Sequence, residues 1–147
     1  MVKVIVIDAE KQVLGRMASY AEKKALMGEE VVVVNCERAY VSGSSRNIEE
    51  LNLAMLEIKN KGNFNKGPYH ARRPDNYVRR VIRGMLPWNT LRGREAYKRV
   101  KVYIGVPLSE LTKYNIPLPK KEEQLPRKRL RRKSTVADIC KSIGGKW

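Results

Sequence analysis

Histidine and cysteine are almost missing from this chain, which has one histidine (His70) and two cysteines (Cys36 and Cys140) in 147 residues. So few ligands build neither a disulfide framework nor a zinc site. Sparse, unpatterned cysteine fits a reducing cytoplasm. Long apolar runs are missing too. Nothing approaches the ~18 residues of a membrane span. The opening Val2-Lys3-Val4-Ile5-Val6-Ile7 is short and ends at Asp8, so it reads as a strand and not as a signal peptide. Acid is scarce relative to base: 15 Asp and Glu stand against 31 Lys and Arg, a net charge of +16. A folded domain repels itself at such a charge unless a polyanion neutralises it. Hydrophobic residues make up 42%, enough to exclude wholesale disorder, and the length suits one modest core.

The positive charge is localised. Residues 1–60 hold 8 Lys and Arg against 9 Asp and Glu, a net of −1. Residues 61–101 carry +10, residues 102–119 are neutral, and residues 120–147 carry +7. This pattern describes a near-neutral scaffold bearing two polyanion-binding segments.

The periodicities alternate between strand and helix. Val2–Ile7 and Val31–Val34 are β-branched runs suited to strands buried on both faces. Between them, Leu14, Met17, Ala18, Ala21 and Ala25 follow helical spacing, with Gly15 easing the turn into the helix and Gly28 stopping it. Ala39–Val41 reads as a short third strand. Ser45 is placed to cap a helix whose Ile48, Leu51, Met55 and Ile58 share one face. A loop follows over 61–73. Pro74 suits a first helical position and Asp75 the positive end of the helix dipole. Tyr77, Val78, Val81, Ile82 and Met85 form that helix's apolar face, and Asn76, Arg79, Arg80 and Arg83 fall opposite, so replacing the arginines is expected to spare the fold. A short helix fits Gly93–Arg99, then an alternating strand over Val100–Val106. Prolines 117, 119 and 126 and dense charge make 118–133 an extended arm. Thr135 and Asp138 are spaced for a capping box on a last amphipathic helix, which docks on its own core or on a neighbour. The order predicts an α/β/α sandwich with a small, mostly parallel sheet of about four strands. The expected division is a core over 1–115 and a basic arm with a short helix over 116–147.

No motif carries catalysis. The turn at Leu14-Gly15-Arg16 lacks both Gly-x-Gly-x-x-Gly and the Lys-Ser/Thr of a P-loop. His70 has no partner motif, and Asp8 with Glu10 is a carboxylate pair without a nucleophile or metal signature. The strongest feature is instead the basic middle, where Arg72, Arg73, Arg79, Arg80, Arg83, Arg92, Arg94, Lys98 and Arg99 crowd together. Arginine's planar fork suits bidentate phosphate contacts and stacking on bases. Tyr69, Tyr77, Trp88 and Tyr97 are interleaved, and glycines 67, 84 and 93 are read as permitting close approach to a phosphate. Lys66, Tyr69, His70 and Trp88 join the arginines as candidate RNA-binding residues. A second set lies in the arm: Arg127, Lys128, Arg129, Arg131, Arg132 and Lys133. No DNA-reading motif, RRM aromatics or KH loop is present, so shape-dependent binding of folded RNA fits best.

Several segments resemble one family, that of large-subunit ribosomal protein thirteen. They are Ile7-Asp8-Ala9 with Leu14-Gly15-Arg16-Met17-Ala18, Val31-Val32-Val33-Val34-Asn35, Gly67-Pro68-Tyr69-His70-Ala71-Arg72-Arg73-Pro74, Val81-Ile82-Arg83-Gly84-Met85-Leu86-Pro87, Arg92-Gly93-Arg94, and Val102-Tyr103-Ile104-Gly105-Val106-Pro107. The bacterial branch usually ends this region in His-Pro-His; Ile104-Gly105-Val106-Pro107 and the length resemble the archaeal branch. The resemblance implies an α/β/α fold and contacts with large-subunit rRNA and neighbouring ribosomal proteins. It also implies a role in early subunit assembly in the cytoplasm, with no cofactor, small-molecule substrate, membrane or catalysis. The alternatives from the residues are an mRNA-binding regulator off the ribosome and a nucleotide-dependent α/β enzyme.

Overall fold

A computed structural model describes residues 3–113 and 130–147. Strand β1 (Val4–Asp8), β2 (Glu30–Val34) and β4 (Val100–Val102) form a parallel sheet in the order β1-β2-β4. The valine run of β2 is buried on both faces, as its composition demands. Val31 and Val33 enter the larger core, while Val32 and Val34 join Val6, with Val4 and Tyr103 packed against them, on the opposite face.

Helix α1 (Leu14–Leu26) lays its predicted stripe of Leu14, Met17, Ala18, Ala21 and Ala25 on the larger core. Beside it pack α3 (Pro74–Met85), through Val78 and Ile82, and α4 (Leu91–Lys98), through Ala96. Pro74 stands in the first turn of α3 with Asp75, as the sequence indicates. Thr90 caps α4, its Oγ1 accepting from the Gly93 amide at 3.1 Å.

Among the described residues the parallel sheet has three strands, against the four or so expected. Strand β3 (Tyr40–Ser42) leaves it and pairs antiparallel with β5 (Lys133–Thr135), a strand that the proline-rich, charged approach to it concealed. Helix α6 (Val136–Ser142) follows at once, and its capping box closes both ways: the Asp138 amide donates to Thr135 Oγ1 at 3.1 Å, and the Thr135 amide donates to the Asp138 carboxylate at 3.4 Å. Val136, Ile139, Cys140 and Ile143 are buried, so this helix docks on the chain's own core.

Other local readings change. The turn into α1 depends on Lys11, at φ 59°, while Gly15 lies inside the helix without positive φ. The strand expected over 100–106 stops at Val102, and the chain swings away through Gly105 at φ 65°. There the Gly105 amide donates to Glu37 Oε2 at 3.0 Å and its carbonyl accepts from the Asn35 amide at 2.9 Å. Helix α2 (Ser45–Glu57) is capped at Ser44, not Ser45. Its Ile48, Asn52 and Leu56 turn inward, whereas Leu51 is 67% and Ile58 62% exposed, with Met55 exposed beside them. The apolar stripe read from its sequence is therefore mostly its outer face. Met85 of α3 is likewise exposed. A short helix α5 (Leu108–Lys113) has no counterpart in the sequence reading.

Candidate nucleic-acid interface

The second half of α3 and the turn that follows it build the site. Leu86 is buried and Pro87 ends the helix regime, so the chain reverses sharply before Thr90 restarts it. Gly93 is essential to that reversal. It is buried, and a Cβ there would overlap the Pro87 carbonyl, so its missing side chain admits the turn's own backbone and not a phosphate. Gly84, by contrast, faces open space.

The reversal places Trp88 over the helix. The Arg83 guanidinium carbon lies 4.1 Å from the Trp88 ring centroid, and that of Arg79 lies 4.6 Å from the Tyr97 ring. Trp88 and Tyr97 meet edge to face, 5.2 Å apart at 87°. Two arginines are thus fixed by cation–π contact to a pair of aromatic rings that brace each other. The Arg79 Nε is buried and has no hydrogen-bond partner among the described residues. Arg80 donates to the Tyr69 carbonyl at 2.8 Å. That bond ties the 67–70 loop to α3 and closes an open groove of about 700 Å³. Its lining includes Pro68, Tyr69, Arg80, Arg83, Pro87 and Trp88. A smaller recess of about 280 Å³ adjoins, shared by Tyr69, His70, Arg80, Arg83 and Tyr97.

Of the residues singled out by sequence, the structure brings Tyr69, His70, Arg80, Arg83 and Trp88 together at these two recesses, with Arg79 behind them. Arg94 supports them, its Nε donating to the Trp88 carbonyl at 3.3 Å. His70 Nε2 lies 3.2 Å from the Ile58 carbonyl. Arg73, the residue before α3, pairs with Asp75 at 3.3 Å. Arg72, Lys66 and Lys98 are exposed on flanking segments. Arg92 and Arg99 go elsewhere: both reach the end of α1, donating at 3.5 Å to the Leu26 and Ala25 carbonyls, where cations complement the helix dipole. Arg131, Arg132 and Lys133 lie at β5, with Lys133 Nζ 4.2 Å from the Tyr40 ring centroid. Arg127, Lys128 and Arg129 lie outside the described residues. The sequence reading missed Pro68, Pro87 and Asn89 as lining; the one signal for the turn that presents Pro87 and Asn89 was Thr90 three residues before Gly93.

The carboxylates near β1 are structural. Asp8 Oδ1 accepts from the Glu10 amide at 3.0 Å and from Asn35 Nδ2 at 2.9 Å, and Glu10 pairs with Lys11 and Arg38. No group of three metal-ligating side chains occurs among the described residues.

Both thiols are buried and free, and burial pushes each from the ordinary 9.0 up to about 12; nearby Glu37 and Asp75 act in the same direction on Cys36, as Asp75 does on Cys140. Below pH 9 the thiols are neutral in both folded and unfolded chains, so this stabilising difference is fully present. Between about 9 and 12 only the unfolded thiols ionise, so stability falls as pH rises. The expected result is a lower urea midpoint at pH 10.5 than at pH 8, with the fall reduced in Cys36→Ala/Cys140→Ala. Native thiols should also resist iodoacetamide at pH 8 until urea unfolds the chain.

An α/β core presenting pinned arginines and aromatic rings in one groove has the construction of a nucleic-acid-binding scaffold. Residues 2–109 match the family described as Ribosomal protein L13, and the chain belongs to that family. It is 51% identical over 102 residues to the large ribosomal subunit protein uL13 of Methanopyrus kandleri, covering 69% of this chain and 62% of that one, so the match spans less than two thirds of that relative. The uL13 of Methanococcus maripaludis is 48% identical over 104 residues, 70% of this chain and 76% of the relative. That of Methanococcoides burtonii is 38% identical over 143 residues, 97% and 99% of the two chains. The family is one of ribosomal proteins, structural constituents rather than enzymes.

Proposed function

We propose that this chain is a structural component of the large ribosomal subunit in the cytoplasm. It binds large-subunit rRNA from early in assembly, by charge neutralisation and shape. The observation that carries this reading is the groove in which Arg80 and Arg83 flank Tyr69 and Trp88, within a segment of net charge +10. The near-neutral first 60 residues supply the scaffold that holds it. In a sedimented cell extract the protein is expected in the large-subunit peak. Protein found mainly outside that peak would contradict the reading.

Neighbouring ribosomal proteins are the second class of partner. The outer face of α2 exposes Leu51, Leu53 and Met55, with Ile58 just beyond, and carries Glu49, Glu50 and Glu57 in an otherwise basic chain. An apolar, acidic face repels RNA and complements a cationic protein. Leu51→Lys/Met55→Lys is expected to leave the free protein's RNA affinity within about two-fold and to lower its share of the large-subunit peak in a gradient. An unchanged share would remove α2 from the interface.

A further inference from the structure

The groove has a feature that phosphate neutralisation alone does not require. Tyr69 is 71% exposed, yet it is held at both ends: its hydroxyl donates to the Asn65 carbonyl at 3.0 Å and its own carbonyl accepts from Arg80 at 2.8 Å. Trp88 is held as firmly. Its amide donates to the Leu86 carbonyl at 2.7 Å, its carbonyl accepts from Arg94, and its indole contacts both the Arg83 guanidinium and, edge to face, the Tyr97 ring. An exposed aromatic ring normally keeps its rotamer freedom. Here exposed Tyr69 and half-buried Trp88 are both held in one groove of about 700 Å³, ordered before anything binds.

The chemistry of the lining narrows the ligand. Pro68, Leu86 and Pro87 add apolar surface to the lining, which Arg80 and Arg83 share. A paired RNA helix presents phosphates and ribose hydroxyls on a convex surface and keeps its base faces stacked inside, so it gains nothing from a concave aromatic groove. An unpaired base offers a π-face, which stacking platforms accept whatever the sequence. Its size suits the groove, and its phosphates fall within the field of the two arginines. Asn89, in the same lining, supplies a donor and an acceptor for a base edge.

We infer that the groove between Tyr69 and Trp88 is a nucleobase site, which takes one unpaired base extruded from the bound RNA while Arg80 and Arg83 hold the flanking phosphates. This rests on the RNA-binding reading and adds base capture to it. Arg83, already lying on the indole, extends the stacking surface as a planar cation.

The test uses two RNA hairpins alike except for one bulged adenosine, and the full chain carrying Trp147→Phe, so that Trp88 is its sole tryptophan. The bulged hairpin is expected to quench Trp88 emission and to bind roughly 5- to 100-fold more tightly than the paired one. Tyr69→Ala, at an exposed ring, is expected to abolish that preference, so that the two hairpins bind alike, and Tyr69→Phe to retain most of it. Equal affinities without quenching, or a preference that survives Tyr69→Ala, would overturn the base site and leave RNA binding standing. Failure to bind either hairpin would overturn both.

Discussion

A chain ending at Arg132 is expected not to fold. It loses β5, and with it the partner of β3, and it loses α6 with its capping box. Burying Val136, Ile139 and Ile143 contributes about 1.5–3 kcal/mol each, so roughly 5–9 kcal/mol together. That sum is an upper estimate, because unfolded chains already bury part of this surface. It is nonetheless comparable with the whole margin of about 5–15 kcal/mol on which a domain of this size subsists. Gly145 adds a further constraint: a Cβ there would overlap the Arg72 carbonyl, so the end of the chain is seated against the segment that leads into α3. Far-UV circular dichroism with a urea titration checks this. Ile139→Ala in the full chain is the milder version, expected to cost about 2–5 kcal/mol. A truncated chain with the full chain's cooperative transition would show that the helix docks without stabilising.

The second large effect concerns Arg79, Arg80 and Arg83. Replacing all three with alanine is expected to lower affinity for large-subunit rRNA by roughly 10²- to 10³-fold near 100 mM salt, as three charge-assisted phosphate contacts disappear. Helical periodicity alone sets these side chains on the face away from the core and so expects the fold to stay largely intact. The structure adds a stability cost to that expectation. Arg79 is stacked on Tyr97 and Arg83 on Trp88, and cation–π contacts of this kind contribute about 0.5–2 kcal/mol each. The triple variant is therefore expected to be folded but less stable, by about 1–4 kcal/mol. The triple lysine variant keeps the charge but not the planar stack and is expected to fall between the two in RNA affinity. Filter binding, corrected for the folded fraction, measures the effect. Unchanged affinity per folded molecule would mean that these arginines serve packing alone.

What could be read from sequence follows from how local each feature is. The valine run of β2, the alanine-rich stripe of α1, Pro74 and the Thr135–Asp138 box are short-range patterns, and each stands where it was expected. Pairing is a long-range property. Nothing within Tyr40–Ser42 states that its partner lies more than 90 residues away at Lys133–Thr135. Helix α2 shows the same limit in another form. Leu51, Met55 and Ile58 are spaced like a core stripe, but a helix carries two usable faces, and the packing of Asn52 and Leu56 decided which one turned in. In the candidate site, the residue types were legible because arginine and aromatic residues crowd one stretch. Their geometry was not. Whether Arg92 and Arg83 serve the same surface depends on the reversal at Pro87–Thr90, which sends one to the groove and the other to the end of α1.

The proposed function rests on fixed cations presented to RNA phosphates. The most direct measurement is the affinity of the purified chain for large-subunit rRNA across 50 to 200 mM salt. If on the order of 6–10 phosphates are neutralised, affinity falls by ~10³- to 10⁵-fold over that range, using the duplex DNA relation as a guide. That steep decline is expected, shallower in the Arg79/Arg80/Arg83 alanine variant. An affinity that stays flat with salt would contradict it.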